Sequence, residues 1–133
     1  MVRIVQEYPN IRIVQDAMFG STNEVMGTSY RSRINDPKYQ FAGKTGTAQV
    51  KRITEAEREL DLKTNQIPYK ERDHAWYVAF GPYKDPRYAV SILIEHGGSG
   101  SKVAAPIAKK LIKFVIDRHE FRKKIKQRGS LKV

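Results

Sequence analysis

Residues 74 to 95 limit the possible folds of this chain more than any other stretch. From His74 to Pro82, Trp76, Val78 and Phe80 alternate with Tyr77, Ala79 and Gly81. From Arg87 to Glu95, Val90, Ile92 and Ile94 alternate with Ala89, Ser91 and Leu93. A period of two belongs to an extended strand, whose successive side chains point to opposite faces. Lys84-Asp85-Pro86 supplies a turn between the runs, and strands joined by so short a link pair antiparallel. Both faces of the second run are apolar, which predicts a strand covered on both sides. A sheet also needs a second layer, and the sequence downstream offers one. Ala104, Ile107, Ala108, Leu111, Ile112 and Val115 fall at i, i+3, i+4, i+7, i+8 and i+11, an amphipathic helical stripe with Lys109, Lys110 and Lys113 on the wet face. Pro106 is tolerated only in a first turn, so it sets the helix start near Val103. Strands and helices segregated in this way predict an α+β fold.

The rest of the chain is less regular. Ile11, Val14, Gln15, Met18 and Phe19, then Val25 and Met26, carry a rough helical period. They predict a helix over roughly residues 10–26, with a break at Gly20-Ser21 and an end near Gly27. Thr28–Tyr39 is polar and contains Asp36-Pro37, so it reads as a loop. Tyr39–Val50 reads as a strand. Residues 51–73 are highly charged; Thr54-Glu55-Ala56-Glu57 fits a capping box, which predicts a short helix over about 55–62, and Asn65–Asp73 reads as a loop around Pro68. A connection this long between strands is usually functional or mobile. Gly97-Gly98-Ser99-Gly100 reads as a flexible loop.

At 133 residues the chain is one domain or part of a larger one. It has no cysteine, which excludes disulfides and thiolate metal sites. Val2-Arg3-Ile4-Val5-Gln6-Glu7 does not resemble a signal peptide, and no apolar run is long enough to span a bilayer, so neither signal nor anchor is expected within these residues. The formal net charge is +11. Residues 118–133 hold seven Lys and Arg against Glu120 alone, so the chain divides into a body, residues 1–117, and a basic C-terminal tail. Such a tail favours acidic partners, among them anionic lipid, cell-wall polymers or nucleic acid; its plainer reading is a solvated, partly frayed end.

Chemistry concentrates in residues 43–49, Gly-Lys-Thr-Gly-Thr-Ala-Gln. Lys-Thr-Gly is one of three short motifs that build an acyl-serine site. With Phe41-Ala42 before it, this stretch resembles the third-motif strand of the class B penicillin-binding proteins. Arg72-Asp73-His74-Ala75-Trp76 and Ala79-Phe80-Gly81-Pro82-Tyr83 resemble the next strand in members of the penicillin-binding protein 2 type. Glu95-His96-Gly97-Gly98 and Ala104-Ala105-Pro106 resemble their last strand and C-terminal helix. The resemblance covers about residues 10–117.

The resemblance implies a partial penicillin-binding-protein or serine β-lactamase-like fold: three antiparallel strands of a five-stranded sheet, with N-terminal and C-terminal helices. It implies a peptidoglycan D,D-transpeptidase, in which a serine attacks the D-Ala-D-Ala end of a stem peptide and an amine of a second strand resolves the acyl-enzyme; β-lactams acylate the same serine. Lys44 would set positive charge beside the second-motif hydroxyl and the substrate carboxylate, where an ammonium in a partly desolvated cleft acts strongly. Thr45 and Thr47 would hydrogen-bond that carboxylate, and the Thr47 N–H would form half of the oxyanion hole. Gly46 would let the substrate backbone lie against the strand as an added one. The resemblance also implies the periplasmic face of the bacterial inner membrane, a glycosyltransferase partner of the elongation machinery, and no cofactor or metal.

Two further motifs are needed, and both occur only as decoys. Ser99-Gly-Ser-Lys102 spells Ser-x-x-Lys but follows the third motif, and Ser21-Thr-Asn23 spells Ser-x-Asn but lies too close to Lys44. The chain is therefore expected to carry the Lys-Thr-Gly wall, to lack the nucleophile and to be inactive alone. The missing strands would leave the Arg87–Glu95 strand with an open edge, which predicts dimers, swapping or aggregation. His74 has no spaced set of ligands around it and reads as a structural histidine. Two alternatives stand beside the transpeptidase reading. One is a β-lactamase-related fragment. The other is a basic module for nucleic acid or an anionic surface, weakened by a short tail and by aromatics that do not interleave the charge.

Overall fold

The computed structural model describes residues 8–50 and 63–130. Helix α1 spans Tyr8–Asn23, strands β1, β2 and β3 span Ala42–Ala48, His74–Gly81 and Tyr88–Ile94, and helix α2 spans Ala105–Ser130. A π turn at Gly100–Ala104 leads into α2, and 3-10 turns lie at Tyr30–Ser32, Thr64–Gln66 and Tyr69–Glu71. The short helix expected over 55–62 lies outside the described residues. The strands form one antiparallel sheet in the order β1-β2-β3, with Thr45 opposite Tyr77 and Tyr77 opposite Ile92. The α+β expectation holds.

Both helices cover the same face of the sheet. Phe41, Ala75, Tyr77, Ala79, Ala104, Ala105, Ala108, Ile112 and Ile116 form one buried cluster. Alanines stand on both sides of this interface, and the helix is rotated relative to the expected stripe. Ala105, Ala108, Ile112 and Ile116 are inward, whereas Ile107 and Leu111 are 37% and 40% exposed. Pro106 is the second residue of α2, in the first turn as expected. The helix continues through Ser130, so most of the basic segment after residue 117 is helical.

Two further expectations are corrected. In β3, Val90, Ile92 and Ile94 are half-buried but Ala89, Ser91 and Leu93 are exposed; an apolar composition alone did not reveal that one face lacks a cover. Helix α1 runs unbroken through Gly20-Ser21 and ends at Asn23. The chain then folds back so tightly that a Cβ on Gly27 would lie 2.5 Å from the carbonyl oxygens of Gly20 and Ser21.

The end of α1 is stitched to the start of β1 by buried polar groups. Thr22 Oγ1 accepts the Gly43 N–H at 2.9 Å and donates toward the Gly43 carbonyl at 3.1 Å. Tyr77 OH sits 2.9 Å from Thr22 Oγ1 and 3.1 Å from Ser29 Oγ, and Ser29 donates to the Ser21 carbonyl at 3.0 Å. Asn23 Nδ2 donates to the carbonyls of Phe41 and Phe19 at 2.9 and 3.1 Å. A Cβ on Gly43 would fall 2.4 Å from Tyr77 OH, so only glycine leaves room for that hydroxyl. Burial pushes the Tyr77 phenol up, and its bonds to Ser29 and Thr22 oppose that shift.

A second, exposed cluster ties α2 to the preceding loop. Lys38 Nζ lies 2.8 Å from Glu120 and 3.7 Å from Asp117, Lys113 Nζ lies 2.9 Å from Asp117, and Tyr39 OH donates to Asp117. The hydrogen bonds from Tyr39 and Lys113 hold the Asp117 carboxyl below its ordinary value, and Lys38 does the same for Glu120.

Three outcomes follow from this architecture. Thr22→Val leaves the Gly43 N–H without its buried acceptor and lowers stability by roughly 1–3 kcal/mol, read as a shift of the denaturant midpoint. Because the folded carboxyls of Asp117 and Glu120 titrate below their unfolded values, the stabilisation is complete above those values and fades as pH falls; Lys38→Met therefore shallows the stability loss between about pH 5 and about pH 3. The edge of β3 carries no neighbouring strand among the described residues, so sedimentation velocity is expected to show concentration-dependent association that Ser91→Lys reduces.

Candidate functional site

Lys44, Thr45, Gly46 and Thr47 form the centre of β1, which is an edge strand in the described sheet. The pairing with β2 assigns their faces. Lys44 stands opposite Val78 and Gly46 opposite Trp76 on the open face; Thr45 opposite Tyr77 and Thr47 opposite Ala75 start on the other face, where Thr45 is half-buried and Thr47 exposed. The phase of this alternation is set at Gly43, where Thr22 grips both backbone groups of the residue before Lys44. Strand alternation thus starts the lysine and the two threonines on opposite faces, and the lysine side chain bends over the edge toward Thr45. A common ligand can meet all three only across the free edge of β1.

On the open face, residues 44–48 line a shallow groove of about 350 Å³ with Trp76 and Val78 as its wall. Trp76 and Val78 are 37% and 42% exposed, unusual for large apolar side chains at the centre of a sheet. Lys44 Nζ donates to the Thr45 carbonyl at 3.0 Å and lies 3.5 Å from Thr45 Oγ1; among the described residues it makes no ion pair. A lone ammonium above an apolar wall and beside an unpaired strand edge suits an extended peptide bearing a carboxylate. A Cβ on Gly46 would come within 3.2 Å of Trp76 Cβ, so the glycine also keeps the floor of the groove low. Trp76 and Val78 were visible in the sequence only as one phase of an alternating run. Their place in the groove follows from the β1–β2 register, which the sequence does not print.

The remaining sequence candidates are accounted for by packing. Ser21-Thr22-Asn23 is the stitch between α1 and β1, and Ser21 Oγ is buried without a hydrogen-bond partner. Ser99 caps the π turn: its Oγ accepts the Lys102 N–H at 3.4 Å and lies 3.2 Å from Ser101 Oγ. Lys102 is exposed, and the letters of a Ser-x-x-Lys motif here describe a helix entry. His74 Nδ1 accepts the His96 N–H at 2.9 Å, and His96 Nδ1 lies 3.1 Å from the Arg72 carbonyl. This pair holds the chain where His96 takes a left-handed φ of 53°. Among the described residues no cluster of His, Asp or Glu could hold a metal ion, and no helix is long and apolar enough to cross a membrane.

Comparisons with known proteins bear on the family and the fold. Residues 5–113 match the penicillin binding protein transpeptidase domain family. The chain is 39% identical over 111 residues to the peptidoglycan D,D-transpeptidase MrdA of Salmonella typhimurium, covering 79% of this chain and 16% of that protein. It is 36% identical over 100 residues to its namesake in Haemophilus influenzae, covering 75% of this chain and 15% of that one. Among solved structures, PBP2 of Helicobacter pylori in complex with MreC superposes with a TM-score of 0.67 at 31% identity, over 85% of this chain and 18% of that one. PBP2 of Pseudomonas aeruginosa in complex with WCK 5153 gives 0.63 at 30%, over 84% and 21%. The chain thus spans about one sixth of the length of the curated relatives it matches. An edge strand carrying Lys-Thr-Gly, a three-stranded sheet backed by two helices, and matches over most of its length place this chain in the penicillin-binding protein transpeptidase family.

Proposed function

We propose that this chain forms one wall of a peptidoglycan D,D-transpeptidase site and that the nucleophilic serine of that site is not among its residues. The observation that carries this reading is Lys44 on the open face of an unpaired strand edge, beside the Trp76–Val78 wall. In the proposed site the Lys44 ammonium supplies positive charge to the substrate carboxylate and to the hydroxyl of a second motif. Thr45 and Thr47 hydrogen-bond the same carboxylate from the strand edge, and the Thr47 N–H serves as one oxyanion donor. The stem peptide lies along β1 as an added strand. Acylation itself, attack of a serine hydroxyl on the D-Ala-D-Ala carbonyl with expulsion of D-alanine, requires a nucleophile; the burial of Ser21 Oγ and the capping contact of Ser99 Oγ support the reading that it is neither of these. By itself the chain is then inactive.

The same reading assigns the complete protein to the periplasmic face of the inner membrane, with stem peptides and β-lactams as ligands and an elongation-machinery glycosyltransferase as partner. It involves no cofactor. A counterpart of the MreC seen in complex with the Helicobacter pylori relative is a further partner by analogy.

Incubating the chain with a fluorescent penicillin and reading intact mass is expected to give no covalent adduct. A stoichiometric mass increase mapped to Ser21 or Ser99 would overturn the proposal. For the wall itself, a peptide ending in D-Ala-D-Ala at millimolar concentration is expected to shift the backbone amides of residues 44–47, with Lys44→Ala suppressing the effect. Shifts confined to other parts of the chain would refute that assignment.

A further inference from the structure

The outer side of α2 repeats with a period that its buried side does not explain. Ile107, Leu111, Phe114, Arg118, Phe121 and Ile125 are separated by steps of four, three, four, three and four. The five apolar members are 37%, 40%, 59%, 65% and 54% exposed, and they lie across the helix from the buried Ala105, Ala108, Ile112 and Ile116. At 1.5 Å per residue the seam is about 27 Å long, and at 100° per residue its six positions fall within about 80° of arc. Isolated exposed apolar residues are ordinary, but a continuous row with two phenylalanines is not. So narrow a stripe, two positions in seven, has the width of a helix–helix seam; a helix that lies on a membrane surface presents a broader apolar face.

Charge selects the occupant. Helix α2 holds nine Lys and Arg against Asp117 and Glu120, and both acids are already engaged by Lys113 and Lys38. In the heptad frame of the seam Lys110, Asp117 and Lys124 flank one side, with Asp117 already paired to Lys113, and Arg122 flanks the other, while Arg118 occupies a seam position. Lys110, Arg118 and Arg122 have no ion pair among the described residues. A second copy packed antiparallel on the same seam would set Lys110 against Lys124, a like-charge contact that opposes association. A helix with carboxylates on its flanks meets the same cations favourably. Arg118 can lay its aliphatic stem along the seam and extend its guanidinium to an acid. We infer that this face of α2 docks an acidic amphipathic helix of a partner protein, with Phe114 and Phe121 as the anchors.

The test uses the 133-residue chain and a synthetic fluorescent peptide of about three heptads, with leucine at both seam positions and glutamate on both flanks. Fluorescence anisotropy is expected to show saturable binding that weakens with added salt. The double variant Phe114→Ser, Phe121→Ser should weaken it at least ~10-fold, and Arg118→Ala several-fold. Lys84→Glu, remote from the seam, should retain the seam dependence. Both phenylalanines are more than half exposed, so circular dichroism should show both variants folded, and Phe121→Ser alone serves if the double variant is not. Four results would each overturn the inference: unchanged affinity in the seam variants, equal binding by a peptide with the same seam and lysine flanks, seam-dependent binding only to anionic vesicles, or a self-association in sedimentation that the seam variants abolish.

Discussion

Everything at the candidate site depends on how one hydroxyl meets one glycine. Thr22 Oγ1 takes the Gly43 N–H and returns a hydrogen bond toward the Gly43 carbonyl, while Tyr77 OH closes over the vacant Cβ position of that glycine. The three groups come from α1, β1 and β2, so they join the helix layer to the sheet at the residue before Lys44. In a strand, a slip of one residue exchanges the two faces. Gripping Gly43 on both backbone groups therefore decides that Lys44, and not Thr45, looks out over Trp76 and Val78.

The polar nature of this grip matters as much as its position. Buried hydroxyls are costly unless each is satisfied, and a fully satisfied set admits few alternative arrangements. An apolar contact between α1 and β1 would hold the layers together but tolerate a small shift. The Thr22–Ser29–Tyr77 set, supported by Asn23 on the Phe41 carbonyl, does not. The segment that spells a Ser-x-Asn motif thus contributes to the site indirectly, by fixing the strand that carries the lysine.

Much of this was legible in the sequence. The period of two in β2 and β3, the turn between them and the proline in the first turn of α2 each report a local rule, and each element formed where that rule put it. The failures share a different cause. The face that α2 buries is chosen against residues of another element, Ala75, Tyr77 and Ala79 among them, and the open face of β3 depends on a layer that no described residue supplies. The unbroken α1 depends on Gly20-Ser21 being clasped by Gly27 and Ser29 from the returning chain. Likewise Lys44 to Thr47 were identifiable by motif, but Trp76 and Val78 joined them only through a cross-strand register. Period and propensity are written along the chain, whereas facing is decided between elements.

The length of α2 has a consequence for how the molecule comes apart. Its first turns are packed on the sheet and its last ones carry mainly charge, so the far end would be marginal as a separate peptide. Starting a helix is the costly step, and extending one already started costs little. The packed turns around Ile112 and Ile116 thus act as a permanent nucleus, and the distal turns are propagation from it. Such a helix melts from one end only, like a zipper with its slider fixed at the sheet. Whatever docks along the outer row shifts that zipper's resting point without touching the wall that holds Lys44.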